Sequence, residues 1–301
     1  MIHLFSEFLE TWKESLYPPI MSILLFGPRG YIGMQMQGKF PDAIPSNVDI
    51  ADPAAVAEEL DHVKPDVVIN CVGKTGTPNV DWCEDHKEET FRSNVTGPIV
   101  LIEECRKRGI YWVHIASGCV YSGDNGGRGF AEDDVPNFQG SFYSRTKQWT
   151  DAMLNDFTDP IDGKGGILIL RIRMPFGPEP HPKNLLSKVL KFTKVNDIPN
   201  SITYLPDFLD TTDQLIKKHA TGIFHMVNPG PISLYEVACL LADAQGKPRP
   251  ERLTETQALS MTKAPRSNCV LSTEKLEAAG IQLPTAMERI NEIAKKPFAV
   301  L

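Results

Sequence analysis

A chain of 301 residues can bury one large core or two modest ones, and its formal charge of -7 comes with no Lys/Arg-rich tract. Nucleic acid is thereby excluded as an expected partner, while a small anionic ligand held by a few local groups is not. No apolar run approaches the roughly 20 residues that cross a bilayer, so no membrane association is expected.

Six cysteines (Cys71, Cys83, Cys105, Cys119, Cys239 and Cys269) show no metal-ligand spacing and read as reduced thiols of a cytoplasmic protein without a metal. Leu4, Phe5, Phe8, Leu9, Trp12 and Leu16 recur at helical spacing until Pro18-Pro19 stops the pattern. This predicts a short helix over 1–20, packed on the body or on a second subunit, which leaves a homodimer open. A signal peptide would open with positive charge and an unbroken apolar segment, and this stretch does neither.

From Ser22 onward strand and helix alternate. Ser22–Phe26 is a β-rich run ending in glycines, followed by a helical stretch that fades near Gly38. Asp52-Pro53 supplies an N-cap and first helical position for a helix through His62. Pro65–Cys71 reads as a buried strand. Asn94–Arg108 reads as a helix with three cations at its end and Gly109 as its stop. Strands over Tyr111–Ala116 and Gly166–Arg173 follow. After Met174-Pro175 the composition shifts to a proline-rich loop, a helix over Asn184–Phe192 and a late strand over Gly222–Val227. This rhythm predicts an α/β fold, a Rossmann-type doubly wound parallel sheet. The sheet domain is expected over 21–174 plus 203–228, and a smaller substrate lobe over 175–202 plus 229–301.

Gly27-Pro-Arg-Gly30-Tyr-Ile-Gly33 sits between the first strand and its helix. Glycines there permit a tight turn, let backbone approach a pyrophosphate, and bring helix against sheet, with the phosphates at the helix N-terminus. Enzymes that use NAD place an acid about 20 residues on, to meet the ribose 2′-hydroxyl. No acid clearly ends a second strand near Ser46-Asn47, although Asp49 lies close, and Arg29 can face a 2′-phosphate. NADPH is the expected cofactor.

Tyr143 and Lys147 lie one turn apart on a helix face. A phenol there protonates a carbonyl oxygen as hydride arrives, and the ammonium is expected to lower its pKa. Ser117, at the end of a strand, shares the oxygen, and Asn94 backs Lys147 through a water or a backbone link. Gly118-Cys119 follows Ser117 and places a thiol next to that oxygen.

These residues resemble the extended short-chain dehydrogenase/reductase superfamily, and within it the nucleotide-rhamnose synthase/epimerase-reductase family. The likeness spans nearly everything after Met21. It is carried by Gly73–Glu84, Ser117–Tyr121, Pro136–Lys147, Arg171–Pro175, Asp197–Ser201 and Ala264–Asn268, with Asn79-Val-Asp-Trp-Cys83 the most specific part.

The resemblance implies conversion of UDP-4-keto-6-deoxyglucose to UDP-β-L-rhamnose: inversion at carbons 3 and 5, then reduction at carbon 4 with NADPH. It implies cofactor contacts at Gly27, Arg29, Gly30, Tyr31, Ile32, Gly33 and Asp49. Further contacts are implied at Asn70, Cys71, Val72, Asn94, Tyr143, Lys147 and Met174. Monofunctional dTDP-4-dehydrorhamnose reductases carry Asp-Tyr where this chain has Gly118-Cys119, whereas GDP-fucose synthase, which also epimerises, has Cys. Cys119 is therefore expected to move protons. Lys188 is expected as the second acid/base, with Lys183 and His181 as rivals. Asn79, Asn184 and Arg266 are expected to contact the nucleotide-sugar substrate. Two alternatives stand beside this one: a reductase alone, and a regulatory subunit resembling the β subunit of methionine adenosyltransferase.

Overall fold

The computed structural model describes residues 21–295 and Phe298. The helix predicted over 1–20 lies outside them. Ten strands occur among the described residues: β1 (Ile23–Phe26), β2 (Ile44–Ser46), β3 (Val67–Asn70), β4 (Tyr111–Ser117), β5 (Ile167–Ile172), β6 (Lys194–Asn196), β7 (Pro199–Ile202), β8 (Gly222–His225), β9 (Asn228–Ser233) and β10 (Glu251–Leu253).

Six of them form one parallel sheet in the order β2-β1-β3-β4-β5-β8. This is the doubly wound architecture expected. Strands β1, β3 and β4 are buried along their whole length, because helices cover both faces and leave no side for alternation. β2 carries Pro45, which an edge strand tolerates because one side of its backbone needs no donor. One apolar cluster lies on each face of the sheet, around Leu25 and Ile69 on one and Leu24 and Val68 on the other. The chain reverses direction across the sheet between β1 and β3, and loops at the carboxyl ends of these strands open a crevice at that switch point.

Helices follow their local signals. Asp52 caps the Pro53–Val63 helix, accepting from the amides of Ala54 and Ala55 at 3.1 and 3.2 Å. Gly109, in the left-handed region with φ 64, ends Gly97–Arg108. The helix expected from Asn94 differs from prediction: Arg92–Thr96 is a π-turn between the Lys87–Phe91 and Gly97–Arg108 helices. Pro98 has no N–H to give the Asn94 carbonyl, and the Thr150 hydroxyl donates to that carbonyl instead at 2.6 Å.

The helix expected over Asn184–Phe192 is shorter, Leu185–Val189, with Asn184 as its cap. Phe176, Leu186, Ile202, Val237 and Ile290 gather in a separate core with the Leu234–Ala244 and Ala286–Ala294 helices. Assignment of all of 229–301 to that lobe is corrected for 269–283. Cys269 and Leu271 pack on Val120, Tyr121 and Phe130, while Leu276 and Ile281 join the sheet core, where apolar partners are available to them. No helix among the described residues is long and apolar enough to cross a membrane.

Candidate active site

The glycine turn is a cradle in which added atoms would clash. Gly27 has φ 77, and a Cβ on Gly33 would meet the Gly27 carbonyl oxygen at 2.0 Å. Gly30 caps the Tyr31–Lys39 helix without a side-chain hydrogen bond, and the first turn holds no acid. Its leading amides are left for an anion. A cavity of about 270 Å³ opens from this helix start and is lined by Gly30, Tyr31, Ile32, Cys71 and Val72 and, deeper in, Ser117, Tyr143, Lys147 and Met174. Asn70, buried at the end of β3, braces the turn through its Oδ1, which accepts from the Val72 amide at 3.0 Å. Arg29 is exposed at the cradle's rim.

Asp49 is engaged elsewhere. Arg92 binds its carboxylate at 2.7 Å and holds its pKa below the usual range, and its other oxygen accepts from the Ala51 amide. Ser46, at the end of β2, is buried and accepts from the Val48 amide.

Regular secondary structure delivers the residues expected to carry reduction. Ser117 ends β4, and Tyr143 and Lys147 lie on the inner face of the Phe142–Asn155 helix, whose cap Ser141 accepts from the Ser144 amide at 3.1 Å. All three are buried. Lys147 Nζ is 3.5 Å from the Ile115 carbonyl oxygen and 3.5 Å from where a Cβ on Gly73 would stand. Burial lowers the Lys147 pKa, and Asp151 and Cys119 oppose that shift.

The expected lowering of the Tyr143 pKa is corrected. Burial raises it, Cys119 adds to the rise, and the hydrogen bond with Ser117 offsets part of it. The phenol is thereby kept protonated. Asn94 is bonded to neighbours of Lys147 and not to Lys147 itself: Oδ1 accepts from the Lys74 amide at 2.7 Å, and Nδ2 donates to the Lys74 carbonyl and to Thr146 Oγ1. It ties the loop after β3 to the Phe142–Asn155 helix.

Beyond Tyr143 a second cavity of about 330 Å³ is lined by Cys119, Arg173, Lys183 and Lys188. Cys119 Sγ accepts from Arg173 Nη1 at 3.0 Å. Burial lowers the Lys188 pKa, and Lys183 lowers it further. Of the rivals, Lys183 donates to Thr75 Oγ1 at 3.0 Å, and the His181 ring stacks on Tyr31 with centroids 4.2 Å apart. Met174 has φ 38, a left-handed conformation for a residue with a side chain, which persists only where its surroundings hold it. The third cavity, about 510 Å³, shares Asn79, Arg266 and Asn268 with the second and adds Phe192, Val195 and Met261. Arg266 reaches it already paired: Asp81 binds it through both carboxylate oxygens at 2.8 Å, and Asn79 Oδ1 accepts from it at 3.2 Å.

Asn184 does not belong among the substrate contacts. It is fully buried, donates to the Gly177 and Glu179 carbonyls, and accepts from the Leu186 amide, so its amide is spent on the loop and helix cap. Arg173 is the residue sequence reasoning left without a role. Its signal was present: two arginines end an apolar strand, where a buried charge needs a partner.

A family model described as RmlD substrate binding domain matches residues 21–297. Over 288 residues the chain is 34% identical to the bifunctional dTDP-4-dehydrorhamnose 3,5-epimerase/dTDP-4-dehydrorhamnose reductase of Arabidopsis thaliana, covering 92% of this chain and 93% of that protein. A trifunctional UDP-glucose 4,6-dehydratase/UDP-4-keto-6-deoxy-D-glucose 3,5-epimerase/UDP-4-keto-L-rhamnose-reductase of the same plant is 33% identical across 93% of this chain, which spans 42% of that longer protein. The crystal structure of the L780 UDP-rhamnose synthase from Acanthamoeba polyphaga mimivirus superposes with a TM-score of 0.85 at 30% identity, covering 92% of this chain and 99% of that one. Matches of this extent, on a site with this geometry, make the protein an enzyme of the RmlD substrate-binding-domain family.

Proposed function

We propose that this protein is a bifunctional 3,5-epimerase and 4-keto-reductase that converts UDP-4-keto-6-deoxyglucose to UDP-β-L-rhamnose with NADPH. The observation that carries the reading is Cys119 in one cavity with Tyr143 and Lys188. Reduction alone has no use for a thiol there. Relatives named for 4-keto-rhamnose reduction, with and without epimerisation, support the coarser part, a reductase acting on a nucleotide-linked 4-keto sugar.

The residues fit NADPH. Gly27 and Gly33 leave room for a pyrophosphate at the start of the Tyr31–Lys39 helix, Arg29 stands at the rim for a 2′-phosphate, and Asp49 is bound to Arg92. When bound, the cofactor supplies the hydride that reaches carbon 4. Tyr143 gives its proton to the oxygen on that carbon, Ser117 donates the second hydrogen bond, and the Lys147 ammonium returns positive charge to the site.

The same oxygen serves epimerisation. The ketone acidifies the C–H bonds at carbons 3 and 5, Cys119 takes one proton, and the electron pair moves onto the oxygen held by Ser117 and Tyr143. Lys188 returns a proton to the opposite face. In this reading, residues 21–174 plus 203–228, with 269–283 packed on them, hold the cofactor. The smaller lobe holds the nucleotide, Asn79 and Arg266 lining its cavity. Six unpaired cysteines support a reducing, cytoplasmic setting.

The test is incubation of the full chain with UDP-4-keto-6-deoxyglucose and NADPH in deuterated water. The expected result is UDP-rhamnose labelled at carbons 3 and 5, with one NADPH consumed per product. Turnover of UDP-4-keto-L-rhamnose alone would leave a plain reductase, and turnover of neither sugar would leave a non-catalytic subunit. The dTDP-linked sugars run in parallel decide the nucleotide.

A further inference from the structure

We infer that Arg173 is a positioning residue for epimerisation: its guanidinium fixes the Cys119 sulfur and keeps a permanent positive charge beside it while the proton moves. The inference rests on the epimerase reading and names a residue that reading does not require.

Two buried arginines stand two positions apart, and their partners differ. Arg171 binds the Asp151 carboxylate at 2.9 Å, so its charge is matched within the fold. Arg173, 2% exposed, has no carboxylate within ion-pairing distance among the described residues. Its Nη2 donates to Asn200 Oδ1 and to the Ser267 carbonyl, each at 2.5 Å, and its Nη1 donates to Ser267 Oγ at 3.1 Å and to Cys119 Sγ at 3.0 Å. A buried cation held by neutral acceptors is costly, so the arrangement points to a partner that carries negative charge at one stage of the reaction.

Cys119 and Ser267 both touch the guanidinium and line the cavity, and of the two only Cys119 carries a side chain acidic enough to become an anion near neutral pH. Cys269 also lies near, but it is fully buried, donates to the Gly118 carbonyl at 3.3 Å, and is pushed by burial toward the neutral thiol. The fork is pinned from two other segments: the Asn200 amide also donates to the Ile198 carbonyl and Asn268 Oδ1, and the Ser267 hydroxyl donates to the Tyr121 carbonyl. With its other side held, Nη1 is a fixed donor.

The step balances without a further reagent. The thiolate removes the proton from carbon 3 or 5 and becomes a thiol, and the C–H electron pair becomes the enolate on the carbon 4 oxygen. Arg173 keeps its own proton throughout.

The experiment measures, in the full chain, solvent deuterium exchange into UDP-4-keto-6-deoxyglucose and NADPH-dependent reduction of UDP-4-keto-L-rhamnose. Exchange must first be present in the parent, and its absence there would end the epimerase reading itself. In a parent that exchanges, Arg173→Gln should lower the ratio of exchange rate to reduction rate by about 100-fold, the lower range for a positioned acid or base. Arg173→Lys, which keeps the charge and loses the fork, should recover about tenfold of that ratio. An equal fall in both half-reactions, a KM that rises for both sugars, or a Lys variant no better than Gln would overturn the role. Should Arg173→Gln not fold, Arg173→Lys against the parent carries the test: a ratio lowered severalfold supports it, and an unchanged ratio overturns it.

Discussion

The two halves of the site are built by different means. Ser117, Tyr143 and Lys147 stand on the end of β4 and on one 14-residue helix, so backbone hydrogen bonds fix their spacing. Cys119 stands on a loop, and its setting depends on Arg173, Asn200 and Ser267, which come from three segments and meet through hydrogen bonds of the Arg173 side chain. The reductive centre proposed for the first half rests on regular structure and should be robust to change in the loops. The proton-transfer centre proposed for the second half depends on cross-bonds and should not be, so the two proposed activities should come apart under mutation.

The largest effect is expected in the rigid half. Tyr143→Phe keeps the ring and removes the proton donor, so reductive turnover should fall by about 10²–10⁴-fold. Near-normal NADPH oxidation by that variant would remove Tyr143 from the acid role and the rigid half from the comparison.

Cys119→Ser addresses the other half. A hydroxyl holds its proton far more tightly than a thiol, whose unperturbed value is about 8.5, so the variant should exchange solvent deuterium about 100-fold more slowly. The ratio of exchange to reduction of an L-configured 4-keto sugar should fall with it. Full exchange by the Ser variant would return this protein to the plain reductases. Lys188→Ala should lose label at one or both carbons, whereas Lys183→Ala should keep both.

A smaller effect is expected at the cradle. A charge-assisted contact to a phosphate contributes about 1.5–3 kcal/mol, so Arg29→Ala should narrow the preference for NADPH over NADH by about tenfold or more. Equal kcat/KM for the two cofactors in the parent would show that the rim of the glycine turn does not read the 2′-phosphate.

The last effect bears on stability and not on rate, and concerns the sheet that carries the rigid half. Burial holds the His114 and His225 imidazoles well below their usual 6.5, so both are neutral in the fold. Below about 6.5 the unfolded chain binds protons that the folded chain refuses. Their contribution is therefore fully present above that pH and is lost as pH falls toward the folded values, by up to about 1.4 kcal/mol per pH unit for each imidazole. Urea midpoints at pH 7.5 and 5.5 check this, and an unchanged midpoint would show that other groups offset the pair.

Much of the rigid half was legible in the residues themselves. Apolar runs, the Asp52-Pro53 cap, the Gly109 stop and the glycine turn are local signals, and the elements stand close to where those signals put them. Tyr143 and Lys147 one turn apart needed only helical geometry. The errors arose where a residue's partner lies outside its own element. Asn184 reads equally well as a ligand contact or as a helix cap, and only its three backbone partners decide for the cap. The Tyr143 pKa rises because helix and sheet close over the ring, which a sequence does not display.

Periodicity and turn chemistry are properties of neighbouring residues, so the sequence by itself determined the order of strands and helices, the glycine turn and the placing of Tyr143 and Lys147 one turn apart. Arg173 meets Asn200, Cys119 and Ser267, which lie 27, 54 and 94 residues from it. Contacts at those separations exist only after the sheet and the smaller lobe have packed, and so the tertiary structure alone decided which charge stands beside the sulfur.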